Sequence, residues 1–463
     1  MFKSVSKNWM KTVVLLVGLA LIATPLFTAG AVDSRPTGSA YVNTDGSTTL
    51  FPIFNMAAYQ FTAFHPGEYI VNDSGNGTGS GHGRMSLLSQ LPITSANGGG
   101  NVPIDIALAS SACGGGDQYV PGSDATHPYT SFTENSMTAT STASSKSCSD
   151  LDDLTIAKDA ITILVNNTKA TCIMASTGPH YITKNMILAI WGGQAYNNEP
   201  VDTSTNIPAD ENLPSGTAGA TQHTWNDFWP GCGSENIVPT ARIVGSGTRQ
   251  SFLDLTGVSA ANEAAEVSQR YTANADVENA ISNNAAYIGY TGMAFDNSKT
   301  YQLPVQSWSI VSSAVHVIPA ATPSSANVIS GAYPFNRFLH VYTLHGTTKQ
   351  SVLDVLSWLK TSVAQGDIKR IGFIAANDAN VPGFSAPAPD WDVNGDHNAD
   401  VLDVTSIGAY FGACGPASPD PSDPACGSTT HAVRGWVRAD INYSGGVDIL
   451  DITTFGPHFG ASW

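Results

Sequence analysis

The sequence predicts an α/β fold, and three observations predict it. Apolar runs of strand length occur at 104–110, 160–165 and 286–292. Amphipathic helical patterns lie between and after them, at 51–61, 182–191 and 350–363. Turns rich in Gly, Ser and Thr precede helical patterns at 46–49, 74–83 and 245–248. Strands alternating with helices imply open sheets covered by helices.

Residues 1–31 read as a secretory signal. Lys3, Lys7 and Lys11 precede an apolar run from Val13 to Phe27, and Ala29-Gly30-Ala31 is a small-residue cleavage site. No cysteine stands directly after that site, and no other stretch has membrane-spanning length. At 463 residues the chain is expected to hold more than one domain, and 42% hydrophobic residues suffice for a buried core. Net charge is −17, and −20 once the three signal lysines are removed. Such acidity argues against nucleic acid and anionic membranes as partners, but not against a small anion held at short range. Outside the cytoplasm the six cysteines read as disulfides, and their order suggests Cys113–Cys148, Cys172–Cys232 and Cys414–Cys426. Spacing alone leaves other pairings open.

Along the chain, a polar lead-in at 32–45 gives way to Asp45-Gly46-Ser47-Thr48-Thr49-Leu50 and a helix to about Phe61. A strand at 68–71 feeds the loop at 74–83, which stands before Met85-Ser86-Leu87-Leu88. Its alternating glycines superficially resemble a dinucleotide fingerprint, but the rest of that fingerprint is missing, with no clear acidic residue ending a second strand about 20 residues on. Nucleotide binding is therefore not expected. Asp105 sits inside the apolar run 104–110 and must meet donors or water. Residues 111–150 form an insertion bracketed by Cys113 and Cys148, and 193–224 is a second polar insertion. Tyr333-Pro334-Phe335-Asn336-Arg337 precedes a strand at 339–342.

The organising stretch is Arg242-Ile243-Val244-Gly245-Ser246-Gly247-Thr248, followed by the apolar helical pattern Phe252, Leu253, Leu255. A helix N-terminus presents N–H groups and the positive end of its dipole. Ser246 and Thr248 add hydroxyl donors, and Arg242 adds a planar fork suited to an oxyanion. The loop reads as an oxyanion clamp, with Arg84 and Arg249 as surface or helix-face residues.

Taken in order, the loops at 46–49 and 75–83, Asp105-Ile106 through Ser110, Arg242 with Ser246-Gly247-Thr248, Ile288-Gly289-Tyr290 and Tyr333-Pro334 carry a resemblance. Residues from about 40 to 375 resemble the PstS-like phosphate-binding family of type II periplasmic binding proteins. The resemblance implies two α/β lobes closing on one inorganic phosphate, within a domain spanning 32–375. Lobe I would comprise about 40–155 and 303–375, and lobe II about 156–302. It implies ligands at Thr48, Thr49, Leu50, Thr78, Ser80, Asp105, Arg242, Ser246, Gly247 and Thr248, and delivery to an ABC permease. Two features depart from the family pattern. Val244 stands where an Asp often accompanies the Arg, and the first turn aligns two ways across Ser47, Thr48 and Thr49.

Residues 376–391, rich in Ala, Pro and Asn, read as a linker. Beyond it, Asp392, Asn394, Asp396, Asp400 and Asp403 recur 48 positions later as Asp440, Asn442, Ser444, Asp448 and Asp451. Oxygens at loop positions 1, 3, 5, 9 and 12 suit Ca²⁺. The segment 392–463, a small α-helical duplication, resembles a type I dockerin, which implies two Ca²⁺ ions and a cohesin-like partner. His397 replaces a common Gly, and Ser444 replaces an acid.

The expected protein is a secreted phosphate receptor with a calcium-dependent attachment module, found extracellularly, at the cell surface or in the periplasm. The alternative is a structural or adhesive protein reusing the binding fold. An enzyme is not expected: the sequence shows no G-x-S-x-G elbow, no Gly-Lys phosphate loop and no histidine cluster suited to zinc.

Overall fold

The computed structural model describes residues 38–72, 79–89, 104–113, 118–119, 146–193, 223–295, 299–311, 314–412, 438–442 and 446–463. The signal segment, Thr78, Ser444, Cys414 and Cys426 lie outside the described residues.

In chain order, β1 (Tyr41–Gly46), α1 (Phe51–Phe64), β2 (Tyr69–Asn72), α2 (Ser80–Ser89) and β3 (Ile106–Ala109) begin the first lobe. A short hairpin, β4 (Gln118–Tyr119) with β5 (Lys146–Ser147), leads into β6 (Leu151–Asn166). The second lobe contains α3 (Asn167–Ala175), β7 (Ile182–Thr183), α4 (Lys184–Gly192), α5 (Trp225–Phe228), β8 (Val238–Arg242), α6 (Gly247–Thr256), α7 (Ala260–Glu266) and β9 (Gln269–Tyr271). It continues through α8 (Asn274–Asn283), β10 (Tyr287–Gly292), β11 (Thr300–Leu303), β12 (Val305–Val311), β13 (Ala314–Ala321) and α9 (Ser325–Ile329). The chain returns through β14 (Asn336–Leu344), α10 (Gln350–Trp358), α11 (Ser362–Arg370) and β15 (Ile374–Ala375), and ends in α12 (Val401–Ala409) and α13 (Ile449–Phe455).

The sheet order β2-β1-β3-β14-β6-β10-β8-β9 runs through both lobes. Its β6 strand joins them. Residues 151–160 pair antiparallel with β14, and 161–166 pair with β10 and β11. The sequence shows only the apolar half of this strand, because acids and Lys158 on the other half break the run. Two cores result. Val42, Phe54, Ile106, Val341 and Trp358 fill the first lobe. Ile163, Trp191, Trp225, Phe228 and Phe252 fill the second. This is the expected two-lobed α/β architecture.

The lobe boundary moves. The segment from 303 to about 335, expected in lobe I, belongs to lobe II: β12 pairs with β7, and the Tyr333 hydroxyl donates to Ile161 O at 2.8 Å. Leu303, Val305 and Phe335 pack in the second core. The expected helix 350–363 is also two helices, because the Thr361 hydroxyl caps a fresh start at α11. Disulfides Cys113–Cys148 and Cys172–Cys232 are closed. No helix among the described residues is long and apolar enough to cross a membrane.

The segment 376–391 is not a free linker. Ala376, Phe384 and Ala388 are buried, and the Ser385 and Ala388 N–H groups donate to Lys360 O and Ser362 O, both at 2.9 Å. Its proline and alanine content reads as a spacer, but the backbone is held against α11.

Candidate oxyanion site

The site forms where α1 and α6 begin. Gly46, at the end of β1, leads into Ser47-Thr48-Thr49, and the Ser47 hydroxyl turns inward to accept from Thr49 N at 3.2 Å. Thr48 and Thr49 then face the second lobe. From that lobe β8 delivers Arg242. The Gly245 carbonyl accepts from Gly81 N at 3.3 Å, and Ser246 caps α6 by accepting from Arg249 N at 3.4 Å. Gly247 has to be glycine for space: a Cβ there would lie 2.3 Å from Ser80 Oγ and 2.7 Å from Ser110 Oγ. The first N–H groups of α6, on Gly247 and Thr248, are ones a helix leaves without an intrahelical partner.

Arg242 is buried and spans the lobes. Its Nε donates to Tyr271 O at 3.2 Å, Nη1 to Asn274 Oδ1 at 2.5 Å, and Nη2 to Thr272 O at 2.5 Å and Thr48 Oγ1 at 2.7 Å. Every one of these acceptors is neutral, and among the described residues no carboxylate pairs with it. Asn274, at the start of α8, does the orienting expected of an acid at 244; Val244 itself is exposed. Burial pushes the guanidinium down to about 10; nearby Arg337 adds to the effect, while Tyr290 and Asp276 oppose it. It remains charged at neutral pH. Below it, Tyr290 stacks on Phe252 with centroids 3.9 Å apart, which fixes α6 against β10.

Around Arg242 the hydroxyls meet one another. Thr49 Oγ1 and Thr248 Oγ1 lie 2.9 Å apart, and Asn274 Nδ2 donates to Thr49 Oγ1 at 2.9 Å. Ser80 Oγ accepts from Ser110 N at 3.0 Å, and Ser251 Oγ donates to Ser110 O at 3.0 Å. Of the expected ligands, Thr48, Thr49, Ser80, Arg242, Ser246, Gly247 and Thr248 come together.

Two do not. Leu50 has its side chain in the first core, and its N–H donates to Ser47 O at 3.1 Å. Asp105 lies at the start of the strand whose other end reaches Ser110, about 16 Å away at 3.3 Å per residue. Its carboxylate takes Lys349 Nζ at 2.8 Å and Asn43 N at 2.9 Å. The acid in the apolar run is satisfied by an ion pair, and Ser110 is the residue that faces the cleft.

Sequence reasoning missed Arg337. It is buried on β14, donates to Thr49 Oγ1 at 3.3 Å and to Ser110 O at 3.2 Å, and pairs with Asp159 at 2.7 Å. Burial pushes its guanidinium down and Asp159 pushes it back up. An Asp directly ahead of the apolar run at 160–165 and an Arg just ahead of the strand at 339–342 were the available signal. Arg249 and Arg84 are corrected as well. Arg249 makes a buried bidentate pair with Glu263, with contacts of 2.7–3.1 Å, and Arg84 donates to Ser111 O at 3.1 Å.

The C-terminal loops keep their repeat in three dimensions. Asp400 and Asp448 cap α12 and α13 by accepting from Leu402 N and Leu450 N. Asp403 and Asp451 are fully buried and accept from Asp400 N and Asp448 N. Asp392 accepts from Gly395 N at 2.8 Å and His397 N at 3.1 Å. His397 adopts φ 70°, the sharp turn for which a calcium loop uses glycine at its sixth position. Asp440 and Asn442 occupy the matching places of the second loop. The carboxylates are held by loop N–H groups and are not gathered into a cluster; among the described residues the one such group of three is His65, Glu68 and Asp354. By donor chemistry in both loops, and by turn shape in the first, they fit a hard cation.

Fold and site together define a two-lobed protein whose interlobe cleft presents a buried cation, hydroxyls and a helix N-terminus. Two proteins from Streptococcus agalactiae strains, each named phosphate-binding protein PstS 2, are 25% identical over 154 residues, which is 32% of this chain and 47% of theirs. The chain thus spans about half the length of the curated relatives it matches. No family model matches. Among solved structures, an ABC-type phosphate transport receptor from Vibrio cholerae is 17% identical with a TM-score of 0.44, covering 72% of this chain and 99% of its own. A putative phosphate ABC transporter substrate-binding protein from Clostridium perfringens gives 16% and 0.47 at the same coverage. Residue roles rest on the chain's own geometry.

Proposed function

We propose that this chain is a non-enzymatic receptor that captures inorganic phosphate between its lobes and hands it to an ABC permease. The observation that carries the reading is Arg242, a buried guanidinium with only neutral acceptors around it. A buried charge is costly unless it is paired, and an oxyanion would supply the missing partner. Thr48, Thr49, Thr248, Ser80 and the N–H groups of Gly247 and Thr248 supply donors around it, with Arg337 as a second cation. The names of the Streptococcus relatives support phosphate as the anion. Calorimetry with phosphate, arsenate and sulfate on the purified secreted chain tests the proposal; no heat with any of the three sinks it.

The C-terminal module is read as two calcium loops for attachment to a cohesin-like domain. Asp392, Asn394, Asp396, Asp400 and Asp403 would hold one ion, and their counterparts through Asp451 the other. The cation would draw the loop oxygens inward and fix both helices. Val401 and Leu402 on α12, and Ile449 and Leu450 on α13, are more than half exposed at matching positions and offer an apolar contact surface. Binding of calcium with a stoichiometry of two checks the module.

A further inference from the structure

The seam between the calcium-loop module and the first lobe is built from the loops themselves. Arg438, just ahead of the second loop, is buried and pairs with the buried Asp367 of α11 at 3.2 Å. The same guanidinium donates through Nε to Asp392 O at 3.0 Å and through Nη2 to Pro389 O at 3.0 Å. Arg370 of α11 donates to Asp440 O. The first residue of each loop is therefore gripped through its carbonyl by an arginine of the seam. Gly395, the fourth residue of the first loop, packs so closely that a Cβ there would lie 2.1 Å from Val363 Cγ2 on α11.

We propose that docking on α11 and cation binding in the two loops are one coupled equilibrium, with Asp367, Arg438 and Arg370 as the coupling residues. None of the three supplies a loop oxygen. They act by fixing the backbone of Asp392 and Asp440, so that the docked loop is already turned for the ion. By reciprocity the ion strengthens docking by the same factor that docking strengthens ion binding. The module is thus presented at a fixed angle to the phosphate cleft. This inference rests on the calcium reading of the loops.

The test is calcium calorimetry on the full chain and on two variants, Asp367→Asn and Arg370→Ala, with phosphate titration as the check on folding. Both changes are remote from the cleft, so phosphate affinity stays at the wild-type value. Calcium affinity should fall about tenfold, inside the 5- to 150-fold range usual for coupled sites. Chymotrypsin should also cut the variants after Phe384 or Trp391 in calcium, where the wild type resists. Asp367→Asn leaves Arg438 buried without its partner and is the harsher change; if it does not fold, Arg370→Ala decides. Wild-type calcium affinity and protection in a folded variant would overturn the coupling alone. No calcium binding by the wild-type chain would overturn the calcium reading and the coupling with it.

Discussion

Replacing Arg242 separates an anion receptor from a protein that merely kept the fold. Arg242→Met keeps length and apolar bulk but removes the fork that serves Tyr271 O, Thr272 O, Asn274 Oδ1 and Thr48 Oγ1. Removing one partner of a buried charge pair costs about 2–5 kcal/mol in binding. At about 1.4 kcal/mol per tenfold, phosphate affinity should drop by roughly 30-fold to several thousand-fold. Arg242→Lys keeps the charge but has no planar fork to serve all four acceptors, so it should fall between the two. Thermal melting gives an independent reading. Phosphate at about 100 times Kd stabilises the native state by about 2.7 kcal/mol, and that shift should vanish in Arg242→Met at the same concentration. Circular dichroism confirms that the variants fold. A Met variant within twofold of wild type would refute the role of the buried cation.

Asp105→Asn should leave the phosphate-to-sulfate ratio unchanged and cost about 0–1 kcal/mol of stability, because its partner is Lys349 at a partly exposed site; competition calorimetry and a urea melt read both. Arg337→Met should weaken phosphate binding and also destabilise the fold, since it removes the partner of buried Asp159; calorimetry and a urea melt read the two effects. His345 should titrate in NMR above its ordinary 6.5, because Asp152 hydrogen-bonds its ring, and Asp152→Asn should return it. Its folded pKa is raised, so the pair's small contribution is present below pH 6.5 and fades as pH rises through the shifted value. Chelating calcium should lower the helical signal and leave phosphate affinity nearly unchanged, as measured by circular dichroism and calorimetry on the full chain.

Local patterns made much of the fold legible. Helix starts after hydroxyl-rich turns, the strands flanking them and Arg242 with its loop all follow from short-range chemistry. The errors fall where partners come from far along the chain. Asp105 in an apolar run signals a satisfied acid, but only the fold shows that Lys349, 244 residues away, is what satisfies it. Arg337 and Asp159 lie 178 residues apart and meet only because β6 and β14 pair. Arg249 looks like a helix-face residue until α7 brings Glu263 over it. The segment 376–391 has the composition of a spacer, and its burial depends on α11 lying beneath it.

The contacts that close the cleft are also the groups that would hold the ligand. Arg242 to Thr48, Thr248 to Thr49, Asn274 to Thr49 and Ser251 to Ser110 O each run from the second lobe to the first. An oxyanion entering here would exchange hydroxyl–hydroxyl bonds for charge-assisted ones, which are roughly twice as strong. Closure would therefore cost little when the ligand is present and be only weakly held when it is absent. Hydroxyls both donate and accept, so they suit an anion with or without a proton. Of the carboxylates near the cleft, Asp159 is already occupied by Arg337 and the Met293 N–H, and Asp45, buried at the end of β1, accepts from Gly46 N. Discrimination among tetrahedral oxyanions would then rest on whether a hydroxyl replaces a carboxylate as acceptor for a ligand proton. The wild-type phosphate-to-sulfate ratio measures that replacement directly.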